Sequence, residues 1–269
     1  MDIINAFNEF GFLLWYHIPI AYDLHLKGQL GNTNSKIGTK SIFYFSEKHT
    51  ESGGHIDTFR FSQECYKHDT PNFAKQNWTP PPLNEYYSNN ELVFDKPILT
   101  INNKNNTEWS TGKIFNFFNK ESLDSIFAEF YETHQIIYLR PVGKNNKVAY
   151  QHDSGQEPKE IGDIDLINDK YPEVLWIGDM LSDEYSGETY NELQFKILAN
   201  SDQHISCAGD ASVPSYFGGD VLIYGHPQCN STNRGVWKTD SWLKLLSGAN
   251  IYGFTDYNEL LTKAITLWK

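Results

Sequence analysis

The chain has 269 residues, enough for one or two domains, and its 17 Phe, 16 Tyr and 7 Trp residues can build a sizeable core. Its 34 acidic and 22 basic residues give a formal net charge of −12. This charge argues against a general nucleic-acid-binding protein, which carries a basic face, but it leaves room for a local basic pocket.

Hydropathy and cysteine content restrict the setting of the protein. No stretch approaches 18 consecutive apolar residues, so we expect no integral membrane segment. The first ten residues, MDIINAFNEF, have no basic lead-in and do not resemble a secretory signal peptide. The cysteines Cys65, Cys207 and Cys229 lie far apart and form no CxxC or Cys/His zinc pattern. Together these features predict a reduced, cytoplasmic setting.

The first 90 residues predict a small α/β unit. Residues 2–7 read as a strand, and residues 12–27 as a helix that Pro19 interrupts. The apolar run at residues 41–45 predicts another strand, and the polar residues 50–58 predict a loop.

Residues 75–90 predict a linker between two domains. They contain three consecutive prolines at positions 80–82, which favour an extended, stiff backbone without ladder hydrogen bonds. We therefore expect one domain over residues 1–90 and a second over residues 91–269.

The second domain alternates strands with helices, a pattern typical of a parallel, doubly wound α/β sheet. The predicted strands are residues 98–101, 135–139, 174–177, 204–207, 221–224 and 251–254. The predicted helices are residues 123–131, 164–169, 190–200 and 257–268.

Ligands of such sheets bind at the carboxyl ends of the strands, so the residues there are the first candidates for a site. Asn103 and Lys104 follow the first strand of the second domain, and Arg140 follows the next. Amide, ammonium and guanidinium groups can hold phosphate oxygens. The alternatives are a plain Asn-rich turn and a surface ion pair.

The loop over residues 207–219, CAGDASVPSYFGG, is a third candidate. Small residues between a strand and a short helical turn can bring free backbone N–H groups to one point, around Gly209 and Ser212. Ser212 and Ser215 add hydroxyl donors. The alternative is that the small residues only allow close packing.

Two residues of the first domain are candidates for a general base. Glu9 follows the first strand, and His17 lies on the helix after it. The alternatives are an acid placed at a helix N-terminus for its dipole, and a histidine with a purely structural role.

Several motifs are missing. No HExxH and no GxSxG occurs, and the only D-x-D, Asp163-Ile164-Asp165, precedes a predicted helix rather than ending a strand. The sequence therefore indicates no metal site and no α/β-hydrolase nucleophile.

Four phrases together resemble small glycosyltransferases of the GT-B type from bacterial and large-DNA-virus surface-glycan systems. They are FGFLLWYHIPIAYDLH, NWTPPPLNEYY, KPILTINNKNNTEW and the pair ANSDQHIS and SVPSYFGG. The resemblance covers most of the chain and is strongest at residues 96–140 and 190–224.

The resemblance implies two Rossmann-like domains with a cleft between them, the amino-terminal domain being short for this group. It implies a nucleotide sugar of UDP or GDP type bound by the second domain, a carbohydrate acceptor bound by the first, and no cofactor or metal. Lys104, Arg140 and the N–H groups near Gly209 would balance the leaving diphosphate. Residues 178–185 and 190–192 would hold base and ribose.

Other functions stay open on the sequence. The same cleft would suit a non-catalytic module that binds a nucleotide or a glycan. An epimerase should carry an early GxGxxG, which is missing, and a glycosidase needs a pair of carboxylates that the pattern does not single out.

Overall fold

The computed structural model describes residues 2–7, 10–52, 79–104, 116–141, 160–208, 211, 213–227 and 242–269. Within these ranges the chain is a mixed α/β protein with two parallel sheets, one of three strands and one of six. The strands are β1 (Asp2–Ala6), β2 (Leu30–Lys36), β3 (His49–Ser52), β4 (Ile98–Asn102), β5 (Gln135–Leu139), β6 (Leu175–Trp176), β7 (Gln203–Cys207), β8 (Asp220–Tyr224) and β9 (Asn250–Phe254). The α-helices are α1 (Phe10–Phe12), α2 (Ile18–Leu26), α3 (Leu83–Tyr87), α4 (Lys120–Phe130), α5 (Asp163–Lys170), α6 (Ile177–Ser182), α7 (Tyr190–Ala199) and α8 (Tyr257–Trp268). A π-helix spans Leu13–His17, and 3-10 helices span Lys40–Phe43, Pro214–Tyr216 and Trp242–Leu245.

The smaller sheet has the order β1-β2-β3 and corrects the sequence prediction in two places. The apolar residues 41–45 do not form a strand: a 3-10 helix covers Lys40–Phe43, and Glu51 accepts hydrogen bonds from the backbone N–H groups of Thr39 and Lys40 at its start. The predicted loop at residues 50–58 begins inside β3.

The helix predicted after β1 is present but not uniform. The π-helix Leu13–His17 precedes α2, and Pro19 lies in the first turn of α2. A proline is tolerated there because the first N–H groups of a helix have no partner within it. The interruption expected at Pro19 therefore takes the form of a change in helix type just before it.

The predicted extended linker contains a helix in its described part. Residues 83–87 form α3, whose Leu83 and Tyr87 lie four positions apart and are both buried. The hydroxyl of Tyr87 donates to the backbone oxygen of Ser41, 2.5 Å away. Residues 79–82 carry the prolines and precede the helix. The prolines are thus confined to the entry of α3, where helix hydrogen bonds are not required.

The larger sheet confirms the predicted parallel, doubly wound arrangement. All its strand pairs are parallel, and its order is β6-β5-β4-β7-β8-β9. Numbered from its own first strand this is 3-2-1-4-5-6, the order found in Rossmann-like folds. The third predicted strand is shorter than expected: β6 has two residues, and the chain turns into α6 at Ile177.

Apolar side chains cover both faces of the larger sheet. One face packs with α4, α5 and α8 in a group that we call the outer cluster. The other face packs with α6, α7 and the smaller sheet in a group that we call the shared core. The shared core contains residues of β1 and of β9. The domain boundary at residue 90 and the two-domain GT-B arrangement remain predictions.

Candidate functional site

The carboxyl ends of the parallel strands lie together at one end of the larger sheet, which we call the carboxyl edge. The strand order reverses between β4 and β7. The next described helix after β4 is α4, in the outer cluster, whereas Tyr216 of the 3-10 helix after β7 lies in the shared core. Because these described elements lie on opposite faces, a crevice is expected between the ends of β4 and β7. We call this place the switch point.

The inward faces of β4 and β7 carry a stripe of buried polar residues that leads to the switch point. The members of this polar stripe are Thr100 and Asn102 on β4 and His204 and Ser206 on β7. His204 Nδ1 lies 2.7 Å from the hydroxyl of Thr100. Burial lowers the pKa of His204 to about 3, so the ring is neutral.

The polar stripe was missed by the sequence reasoning, but a signal for it exists. In LTIN and HISC the apolar residues alternate with Thr, Asn, His and Ser, which is the period of a strand with one polar face.

Asn102 ends the polar stripe at the carboxyl edge. Its side chain is 2% exposed, and its Oδ1 has no hydrogen-bond partner among the described residues. An unpartnered buried acceptor costs about 1–3 kcal/mol, and a bound donor at this edge would remove that cost.

The side chain of Asn103, a predicted phosphate ligand, is hydrogen-bonded to other residues of the protein. Its Nδ2 donates to the backbone oxygen of Phe118 at 3.0 Å and to the hydroxyl of Tyr138 at 2.8 Å. Its Oδ1 accepts from the N–H of Phe118 at 2.9 Å. Asn103 therefore holds the segment before α4 against the strand edge. Lys104, the next residue, is 9% exposed.

Arg140 lies at the end of β5 in a buried ion pair rather than a surface one. Its Nη1 donates to Oδ1 of Asp163 at 2.7 Å, and the hydroxyl of Tyr138 donates to Oδ2 of the same carboxylate at 2.7 Å. Asp163 is completely buried at the start of α5. Burial and the Asp163 carboxylate hold the pKa of Tyr138 well above its ordinary value. The D-x-D acid Asp163 thus ties α5 to β5.

The loop after β7 is described only in part. Gly209 and Ser212 lie outside the described residues. Ser215 is completely buried, and its hydroxyl donates to the backbone oxygen of Ala211 at 2.6 Å. The hydroxyl of Tyr216 donates to the backbone oxygen of Leu14 at 2.7 Å, so this loop is bound to the π-helix. The hydroxyl proton of Ser215 is therefore donated to a residue four positions earlier in the same loop.

Of the two predicted bases, the structure describes only His17. Glu9 lies outside the described residues. His17 is the last residue of the π-helix and is 5% exposed. Burial lowers its pKa to about 4, so the imidazole is neutral near pH 7. Because the π-helix is bonded to Tyr216, His17 belongs to the element next to the loop after β7.

The residues expected to hold base and ribose lie on α6, on the segment after it and at the start of α7. Gly178 is the second residue of α6 and packs against the indole of Trp176 in the edge strand β6. Asn191 lies in the first turn of α7, and its Nδ2 donates to the backbone oxygen of Gly38 at 2.5 Å. This bond joins α7 to the smaller sheet.

A second polar group, also missed, lies in the smaller sheet. His49 on β3 bridges two buried hydroxyls of β2: its Nδ1 lies 2.7 Å from Thr33 Oγ1 and its Nε2 lies 3.0 Å from Ser35 Oγ. Burial lowers the pKa of His49. Both hydroxyls are completely buried, so this group stabilises the sheet.

Comparison of the chain with protein-family models, curated proteins and solved structures gave no match. Within the described ranges, no three His, Cys, Asp or Glu side chains form a group that could hold a metal ion. In the same ranges no helix is long and apolar enough to cross a membrane.

Proposed function

We propose that the protein transfers a sugar from a nucleotide-sugar donor to a carbohydrate hydroxyl, with the donor diphosphate bound at the switch point. The observation that carries this proposal is the buried Oδ1 of Asn102, which has no partner among the described residues, at the edge where a doubly wound sheet binds its ligands. It is an acceptor, so it suits a hydroxyl of the donor rather than a phosphate oxygen.

The diphosphate needs positive charge or N–H donors. The sequence places two cations at this edge, Arg140, which is bonded to Asp163, and Lys104. Arg140 in this proposal orients the edge of β5, and Lys104 with backbone N–H groups after β7 stabilises the leaving group.

The chemistry is a single displacement. The acceptor oxygen forms a bond to the anomeric carbon, the bond from that carbon to the diphosphate oxygen breaks, and the hydroxyl proton passes to a base. Displacement from the opposite face inverts the anomeric centre. Glu9 or His17 takes the proton; burial lowers the pKa of His17 to about 4, so its imidazole is neutral and can accept a proton at pH 7.

The test is turnover. Purified protein is incubated with UDP- and GDP-sugars and a panel of glycan acceptors, with and without EDTA, and released nucleoside diphosphate and glycosylated product are measured. We expect both products with one donor family, unchanged by EDTA. Lys104→Ala should lower turnover strongly, whereas Lys244→Ala, which removes an exposed lysine of the helix Trp242–Leu245, should not. Equal activity of the two variants would remove Lys104 from the site.

One observation favours a second candidate, a non-catalytic module that binds a nucleotide or a glycan. The side chains of Asn103, Arg140 and Ser215 are occupied by bonds within the protein, which suits a rigid binding edge. Such a module would bind a nucleotide or a glycan without releasing nucleoside diphosphate from any donor.

A further inference from the structure

A cavity of about 370 Å³ lies beside β6, the edge strand of the larger sheet, two strands away from β4. This volume falls within the range of about 300–1,000 Å³ that small-molecule sites usually have. The segment before β4, the end of α5 and the residues from α6 to Tyr185 enclose it. The transferase proposal makes no use of this cavity.

Aromatic and apolar side chains form much of the wall. Phe94, Trp176, Met180 and Tyr185 all line the cavity. The Trp176 indole packs so closely over Gly178 that a Cβ at that position would overlap the ring. The Trp176 indole therefore lies directly against the backbone of Gly178 at the cavity wall.

Four carboxylates also line the cavity: those of Glu91, Asp179, Asp183 and Glu184. Among the described lining residues none is basic. Lys196 lies outside the lining and is shared, at 3.3 Å from Glu91 and 2.6 Å from Glu188. The other three lining carboxylates form no ion pair with a described residue.

These carboxylates repel one another. Partial desolvation and then the Asp183 carboxylate raise the pKa of Asp179 above its ordinary value. A cation in the cavity relieves this repulsion, whereas a phosphate or a nucleotide increases it.

We propose that this cavity binds an organic cation, an alkylammonium or guanidinium group on an apolar body. The carboxylates supply charge-assisted hydrogen bonds, and the faces of Trp176 and Tyr185 supply cation–π attraction. The carboxylates of Asp179, Asp183 and Glu184 lie in and just after α6, and that of Glu91 lies in the segment before β4, so two segments of the wall supply the negative charge.

Isothermal titration calorimetry tests the proposal with agmatine as the free guanidinium and N-acetylarginine amide as a mimic of an arginine side chain. We expect saturable binding of at least one of them. Binding of agmatine alone assigns the cavity to a small metabolite, and binding of the capped arginine assigns it to a basic side chain of a partner protein.

Two variants with equal charge change separate specific binding from general attraction to an acidic protein. Asp179→Asn removes a lining carboxylate and should weaken binding about tenfold, the loss of one charged hydrogen bond. Glu132→Gln, at an exposed position in the turn after α4, should leave binding unchanged. Tyr185→Leu provides a second cavity variant and should also weaken binding.

Three results would overturn the proposal. The first is that neither probe gives a heat of binding at millimolar concentrations. The second is that Asp179→Asn and Glu132→Gln weaken binding equally. The third is that Mg²⁺ or a neutral sugar binds more tightly than either organic cation.

Discussion

The buried carboxylate of Asp163 allows the sharpest test of how the carboxyl edge is built. It accepts hydrogen bonds from Tyr138 and from Arg140, both at 2.7 Å, and the carboxylate and the guanidinium are almost completely buried. The other described ion pair of Arg140 is to Glu160, at 3.5 Å, whose side chain is 84% exposed. The variant Asp163→Asn therefore removes a buried counter-charge that lies 2.7 Å from the guanidinium.

Removing one partner of a buried ion pair costs about 3–5 kcal/mol. Asparagine keeps one acceptor oxygen, so we expect a loss near 3 kcal/mol in the free energy of unfolding, measured by urea denaturation with circular dichroism. The m-value should stay constant, since the unfolded surface is the same. The control Asp165→Asn changes an exposed acid in the first turn of the same helix and should cost less than about 1 kcal/mol.

A double variant checks the reasoning independently. Arg140→Met combined with Asp163→Asn removes both charges, so it should be less destabilised than the sum of the two single variants. A loss for Asp163→Asn within about 0.5 kcal/mol of the Asp165→Asn control would show that the ion pair does not hold α5 to β5.

Three further predictions concern stability, and urea denaturation measures each of them. At Gly219 the φ is +64° and a new Cβ would overlap the backbone of Asp202, so Gly219→Ala should lower the free energy of unfolding by about 2–4 kcal/mol. At Gly218 the φ is +87° but the space is open, so Gly218→Ala should lower it by about 1 kcal/mol. Equal losses for the two variants would contradict the overlap at Gly219. The buried His204 has its pKa lowered to about 3, so its contribution to stability is complete above pH 6.5 and declines as the pH falls below that value. Wild-type protein should therefore lose about 2 kcal/mol more than His204→Asn between pH 7 and pH 5, and parallel pH profiles of the two proteins would refute this. Asp256→Ala removes the side chain that caps α8 by accepting from two backbone N–H groups, and should cost about 1 kcal/mol; no loss would show that solvent replaces the cap.

The larger sheet was predictable because its strands are apolar and are separated by helices of ordinary length. Runs such as QIIYL and VLIY are buried on both faces, which is the pattern of parallel strands. The order of the strands in the sheet is known only from the structure, because the alternation of strands and helices does not determine which strands are neighbours.

The smaller sheet was not predictable in the same way. The sequence of β2, LGNTNSK, has no apolar alternation, and the buried hydroxyls of Thr33 and Ser35 are hydrogen-bonded to His49 and to Ser46 and Thr39, respectively. Conversely, residues 41–45 are apolar enough for a strand but form a 3-10 turn that Glu51 caps. Contacts between distant residues overrode the local pattern in both cases.

At the candidate site, the sequence predicted which residues lie at the ends of the strands but not what their side chains contact. Arg140 and Asn103 do lie at the carboxyl edge, and their partners Asp163 and Phe118 are 23 and 15 positions away. Partners at such separations cannot be read from spacing, so a side chain that looks available in sequence proves to be engaged in structure.

The most direct measurement of the central claim is a thermal-shift panel of nucleotide sugars and nucleoside diphosphates, with and without EDTA. A ligand at about 100 times its dissociation constant adds about 2.7 kcal/mol of stability, which is easily measured. Binding at the switch point predicts a shift with one nucleotide family, unchanged by EDTA and reduced in Lys104→Ala but not in Lys244→Ala. A flat response to the whole panel would contradict a nucleotide site at the ends of β4 and β7.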